Sequence, residues 1–340
     1  MTKLLKLKLF YLSFATLPLL VSCNQTKSLQ ESPYKDLVQE DYEVKPVIQN
    51  FVKDNLFQGD QSKLKSFFNE QLRVEQKFKQ EVNMALTFAP LFIPKIEEIA
   101  ERWKLKTALN SVKIISQTLQ QRWFWYLQNL DKFTFVFNNW MPNFKEHRAQ
   151  YQNQYKENQL SFEEHYAKEK TLSKSFVGYK IVEFSNEYNL WLNPTNQFFN
   201  HKITFLRLKN QENKNILIPF FLYTKTKETL EKEILLTGEI FTFDNDESNW
   251  ANLYSKLASY IIQGMQYYPN KEIEYYNKTK DENEQINQNT ILNQFSDQYF
   301  LNHYHKNNYS NAFYYANEAF NKNQTTNKMQ RYTWGFIDEK

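Results

Sequence analysis

Four large rings stand in a row at Trp123-Phe124-Trp125-Tyr126, and no secondary structure offers one apolar face that takes them all. Successive residues point to opposite faces of a strand and are turned by about 100° on a helix, so a helix would carry these four around most of its circumference. Other elements must enclose them on several sides, or a ligand that accepts aromatic surface must do so. The run continues through Phe133, Phe135, Phe137 and Trp140, making 122–140 the densest aromatic segment of the chain. Two readings of Trp123, Phe124, Trp125 and Tyr126 stay open: the hub of a packed core between helices and a sheet, or an aromatic platform for a sugar, base or lipid headgroup.

A second feature gives the chain an address. Lys3, Lys6 and Lys8 precede an apolar run from Leu9 to Val21, and Leu20-Val21-Ser22-Cys23 closes it. The run is too short for a transmembrane helix, which needs about 20 apolar residues, and it has the layout of an export signal. The last four residues form a lipobox, in which the cysteine thiol takes a diacylglyceryl group and cleavage falls just before it. Cys23 is the expected lipidation site, and the partner it implies is a membrane, reached through two acyl chains that anchor stably where one would be reversible. Cys23 is also the sole cysteine. Its acylation leaves no thiol for disulfides, zinc sites, nucleophilic catalysis or redox chemistry.

Charge and glycine usage narrow the chemistry further. The formal net charge is +4, and removing the three lysines of the first 22 residues leaves +1, which gives no footprint for nucleic acid. The five glycines stand alone at Gly59, Gly178, Gly238, Gly264 and Gly335, so neither a GxGxxG loop, a P-loop nor a GxSxG elbow exists. His303-Tyr304-His305 is the only close histidine pair, in polar surroundings and without an HExxH partner motif. Glu163-Glu164-His165 reads as a solvated helix face. Asp244-Asn245-Asp246-Glu247-Ser248 begins like a calcium loop, but Asn249 replaces the required glycine and Ser255 the closing glutamate, so helix capping is the better role. No catalytic residue, metal site or cofactor is indicated.

The periodicity divides the chain. Residues 1–22 are the signal peptide and 23–44 the lipid anchor with a polar tether. A helical region with the aromatic motif spans 45–172. Ile48, Phe51, Val52 and Leu56 recur at helical spacing up to Gly59; Leu64, Phe67, Phe68 and Leu72 follow an Asp60 cap. A longer helix opening near Pro94 carries Leu105, Leu109, Val112, Leu119, Trp123 and Tyr126 on one face, and Phe144, Tyr151, Tyr155, Phe162 and Tyr166 form another stripe. Residues 173–269 form an antiparallel sheet plus a helix. The strands are expected at 176–184, 188–192, 202–208, 215–224 and 234–243. Ile216 to Leu222 is apolar on both faces and calls for cover on both sides, with Pro219 marking a bulge or an edge. A helix from Ser248 is expected to end at Pro269. Residues 270–340, rich in Asn and Gln, read as peripheral helices or a partly disordered tail. The fold class is α+β: an N-terminal helical bundle, then an antiparallel sheet with a covering helix and a polar C-terminal region.

The lipobox together with the aromatic run from Arg122 to Trp140 resembles the aromatic-motif, or aromatic cluster, surface lipoproteins of mycoplasmas. That resemblance implies a surface lipoprotein and no reaction. The expected activity is therefore binding, to a host or surface protein partner, or membership of a surface assembly. The rival readings are a substrate-binding lipoprotein of a transporter and an ecto-hydrolase. The first usually alternates strands and helices through two lobes, unlike this chain, and the second needs a converging acid–base or metal set.

Overall fold

The apolar runs beyond residue 176 become strands of one antiparallel sheet in a computed structural model that describes residues 44–88, 102–137, 178–190, 202–224, 232–243, 245, 249–278, 280–285, 308–324 and 326–335. In chain order the strands are β1 (Thr134–Phe137), β2 (Lys180–Phe184), β3 (Tyr188–Asn189), β4 (Lys202–Lys209), β5 (Asn215–Thr224), β6 (Lys232–Leu236), β7 (Glu239–Phe243) and β8 (Met329–Gly335). Across the sheet they run β1-β8-β7-β5-β4-β2, with β3 on β4 and β6 on β5. The helices are α1 (Pro46–Leu56), α2 (Leu64–Leu72), α3 (Gln76–Phe88), α4 (Arg102–Gln121), α5 (Trp123–Gln128), α6 (Trp250–Asn277) and α7 (Asn308–Lys322). The α+β class and the antiparallel pairing agree with the sequence expectation.

Alternation on the central strands explains why both faces are covered. Leu206, Leu208, Ile216, Ile218, Phe220, Leu222, Ile234, Leu236 and Ile240 join one buried cluster with α1 to α5. Ile203, Phe205, Leu217, Phe221, Leu235 and Phe241 join the other with α6 and α7. A strand apolar at every position has no solvent face, and two helical layers are the answer to it.

Pro219 sits inside the sheet, paired with Phe205 on one side. On the other side Phe220 faces Leu236 and Leu217 faces Phe241, so residues 237–240 stand opposite Ile218 and Pro219 alone. Thr237 N donates to Pro219 O at 3.2 Å. The missing proline N–H thus faces a bulge, where no ladder bond is lost. The far edge is irregular as well. The register shifts between Ile181 and Glu183, and Ser185 mends the gap to β4: its N–H donates to Phe205 O at 2.9 Å and its Oγ accepts from Phe205 N at 3.0 Å.

The helices show why they start and stop. Pro46 opens α1 with its φ already set. Gln58 and Gly59, at φ 50° and 92°, reverse the chain while Gly59 N donates to Lys53 O at 3.0 Å. Asp60 accepts from Ser62 N and Ser62 Oγ, shaping the turn before α2 rather than capping it directly. Asn249 Oδ1 accepts from Asn252 N at 3.0 Å and caps α6. Asn249 is thus the described cap, and Asp244, Asp246 and Glu247 lie outside the described residues.

Several expectations change. Helix α6 runs through Pro269 to Asn277, because the turns before and after the proline hold the helix although one ladder bond is missing. The aromatic run is not one helix: α4 stops at Gln121, α5 is six residues long, and Thr134–Phe137 pairs as a strand with β8. The stretch after residue 270, read as peripheral or partly disordered, supplies the buried α7 and the interior strand β8. The tether, the opening near Pro94 and the stripe from Phe144 to Tyr166 lie outside the described residues.

Candidate functional site

Arg122 breaks the helix and so disposes of the four rings. At φ −137° and ψ 35° it is not helical, and it turns α5 away from the line of α4. The break frees backbone groups, which a buried glutamine on α2 collects: Gln71 Nε2 donates to Gln121 O at 2.9 Å, and Phe124 N donates to Gln71 Oε1 at 3.1 Å. One amide side chain serves both a donor and an acceptor that the interrupted helix would have left unsatisfied.

Each ring then finds a separate seat. Trp123 packs edge-on against Phe220 of β5 at 5.5 Å and lies 6.2 Å from Phe67 of α2. Phe124 meets Phe68 at 4.7 Å. Trp125 meets Phe78 of α3 at 5.3 Å and Phe133 at 5.9 Å. Tyr126 stacks on Phe133 at 5.2 Å and abuts Trp334 of β8 at 5.6 Å. None of the four is more than 1% exposed. Helices α1 and α2 with β2 and β5 enclose the first pair, where Phe51 and Phe184 stack at 3.7 Å; α3, β1 and β8 enclose the second. Such pairs contribute about 0.5–1.5 kcal/mol each beyond the area they bury.

Three polar groups at the edge of the cluster find their partners inside it. Tyr126 OH lies 2.6 Å from Thr118 Oγ1, which itself donates to Ile115 O at 2.9 Å, so the tyrosine hydroxyl is the donor between them. Asn129 Nδ2 donates to Trp125 O at 2.9 Å and closes α5. Tyr179 OH donates to Leu127 O at 2.6 Å, and burial, aided by the nearby Asp131 carboxylate, pushes its pKa well above the ordinary phenol value. The hydroxyl therefore keeps its proton and acts as a fixed donor.

Two charged groupings lie on the opposite face of the sheet. Arg331 of β8 makes a bidentate pair with Glu239 of β7, Nε to Oε2 at 3.0 Å and Nη2 to Oε1 at 2.8 Å, with both side chains buried. Near the β2 edge Arg207 pairs with Glu183 at 3.0 Å and lies over the Trp250 ring at 4.6 Å, while Tyr254 OH donates to Glu183 at 2.8 Å. Burial, followed by the bond to Glu183, raises the Tyr254 pKa. Both are ion pairs whose members serve one another. Among the described residues no three His, Cys, Asp or Glu side chains are grouped to hold a metal, and no helix is long and apolar enough to cross a membrane. Cys23, His303, His305 and the Glu163-Glu164-His165 run lie outside the described residues.

Sequence reasoning placed the four rings together but missed Gln71, Tyr179 and Trp334, which fix them from elsewhere in the chain. A lone Gln in the apolar stripe of α2 was the available signal. A family model described as aromatic cluster surface protein matches residues 24–280. No curated protein and no solved structure matches the chain.

Proposed function

The chain belongs to the aromatic cluster surface protein family, and from that membership we propose a protein tethered by a diacylglyceryl group on Cys23 that acts through the outer surface of its fold, by binding a host or surface protein or by joining a surface assembly. The observation that carries this reading is the burial of Trp123, Phe124, Trp125 and Tyr126, whose rings are turned into the fold. In this reading the aromatic motif is the core hub that holds the surrounding helices and strands in place, and recognition falls to the residues outside it. The lipobox at Leu20 to Cys23 supports the anchor, because it follows a charged start and an apolar run.

Detergent phase partition of the wild type and Cys23→Ser tests the anchor. The wild type is expected in the detergent phase and the variant in the aqueous phase; a variant that stays with detergent refutes lipidation at Cys23. Binding to intact cells by the soluble chain from Ser28 onward tests the second half. Surface substitutions should abolish binding without changing the melting temperature, whereas loss of binding only in variants that unfold the aromatic cluster would overturn recognition by the outer surface.

A further inference from the structure

We propose that residues 308–335 are a closing strap: α7 and β8 dock as one braced unit, α7 on α6 and β8 between β1 and β7, and the aromatic cluster is sealed only when they do. The unit is held together by its own side chains. Asn321 pairs with the backbone of Met329 as a strand would, its Nδ2 donating to Met329 O at 2.9 Å and its Oδ1 accepting from Met329 N at 2.7 Å. Lys328 Nζ donates to Asn321 O and Gln324 O, capping the carbonyl end of α7.

Its seat is incomplete without it. Among the described residues β1 pairs with β8, through Thr134 to Gly335 and Phe137 to Tyr332. On the other side β8 pairs with β7 from Glu239 to Phe243. Trp334 meets Tyr126, Phe133 and Phe135, and its Nε1 donates at 3.2 Å to Thr237 O, a carbonyl of the bulge opposite Pro219. Arg331 supplies the bidentate partner of Glu239, whose carboxylate is buried. On α6, Gly264 lies so close to α7 that an added Cβ would stand 2.8 Å from Ala312 O.

Sequence distance sets the order. Strands β4 and β5 are joined by a short turn in which Asn210 Oδ1 accepts from Lys214 N at 2.7 Å, and Asn213 takes a positive φ of 61°. Strand β8 must instead reach back to partners at 134–137 and 239–243, and such non-local pairing bears the larger loop-closure entropy. The family model stops at residue 280, before the strap begins, so the folded unit extends beyond the matched span.

Refolding of the full chain with pulsed amide exchange and near-ultraviolet circular dichroism tests the order. Amides of β4 and β5 should gain protection first, and those of β8 and β1 later, in the same phase as the aromatic band. Arg331→Met should slow the later phase about tenfold and leave the earlier one within about twofold, because the loss falls on the step that buries Glu239. If that variant does not fold, Arg331→Lys, which keeps the charge and loses the fork, should show the same selective slowing. One phase in which β4, β5 and β8 are protected together, an aromatic band that precedes β8 protection, or equal slowing of both phases would overturn the strap.

Discussion

The two faces of the sheet bury their apolar surface by different means. The face under α1 to α5 is filled by volume: Trp123, Phe124, Trp125, Tyr126, Phe133 and Trp334 interlock, mostly edge to face, and the Tyr126 hydroxyl is tied to Thr118. The face under α6 and α7 also buries rings, Phe205, Phe221, Phe241, Phe313 and Phe320 among them, but its two helices meet by close approach. Gly264 lets the two helices touch backbone to side chain, Ala258, Ala312 and Ala316 keep the gap narrow, and charge enters the interior at Glu239 and Arg331. A layer built of large rings tolerates helices of irregular length and a break at Arg122, since rings reach across gaps. Two helices that approach this closely need a long line of contact, and α6 supplies it with 28 residues.

The largest effect should come from emptying the ring-filled face. Trp123→Ala removes a side chain that is 1% exposed and seated among Phe67, Phe124 and Phe220. Truncation of a buried tryptophan costs about 3–5 kcal/mol, a large share of a domain's stability. Denaturant melts should show a loss in that range. A loss below about 1 kcal/mol would mean that the face collapses around the hole and is not packed by volume.

The opposite test overfills the face built on contact. Gly264→Ala adds one carbon that would meet Ala312 O and Tyr315 Cβ at 2.8 Å, and the first of these is backbone that cannot rotate away. Separating the helices should cost about 1–3 kcal/mol, outweighing the gain in helix propensity of about 1 kcal/mol. Thermal melting of the variant checks it. A raised melting temperature would show that α6 and α7 have slack, and the contrast between the faces would fail.

Much of the sheet was legible because its strands are rich in β-branched and aromatic residues and end at Asn, Pro or charge clusters. Strand β5 matches its expected bounds, and Pro219 announced its bulge. What escaped reading did so for physical reasons. In β8, Tyr332 and Trp334 alternate with Arg331 and Thr333, the pattern of a strand with one wet face. Both faces are in fact buried, and the partner of Arg331 lies 92 residues away. Nothing local in the Asn-rich surroundings reveals that. The break at Arg122 was equally hidden, since helix spacing continues across it and only Gln71, whose bond to Gln121 spans 50 residues, shows that the backbone there needs a partner. Helix α3 falls within the expected helical region, where Phe78, Val82 and Leu86 keep a four-residue step.

A smaller effect probes the charge admitted to the contact face. Burial raises the carboxyl pKa of Glu318 on α7, although Arg331 and Lys328 pull it down. A folded-state pKa above the unfolded one means that the folded chain holds this proton more tightly. The resulting stability is complete below the ordinary carboxylate value and is lost as pH rises through the raised one. Glu318→Gln keeps the shape without the titration, so it should melt above the wild type at neutral pH, and the gap should close in acid. Melts across pH check the sign. A variant that melts lower at neutral pH would mean that attraction to Arg331 outweighs the burial of the carboxylate.

The smallest effect isolates one hydroxyl. Thr333 of β8 stands across from Glu239 on one side and Val136 on the other, and its Oγ1 is buried without a hydrogen-bond partner among the described residues. A buried donor left unmade costs about 1–3 kcal/mol, whereas an apolar group of the same shape carries no such penalty. Thr333→Val keeps the branched outline that suits a strand and removes the orphan atom. Its melting temperature should be unchanged or raised, by an amount equivalent to about 1 kcal/mol or less once small packing shifts are allowed for. The orphan hydroxyl would then be a defect carried on the strand that closes the sheet. Destabilisation by more than about 1 kcal/mol would show instead that the hydroxyl is engaged in the folded chain, and that the charged interior around Arg331 and Glu239 takes in Thr333.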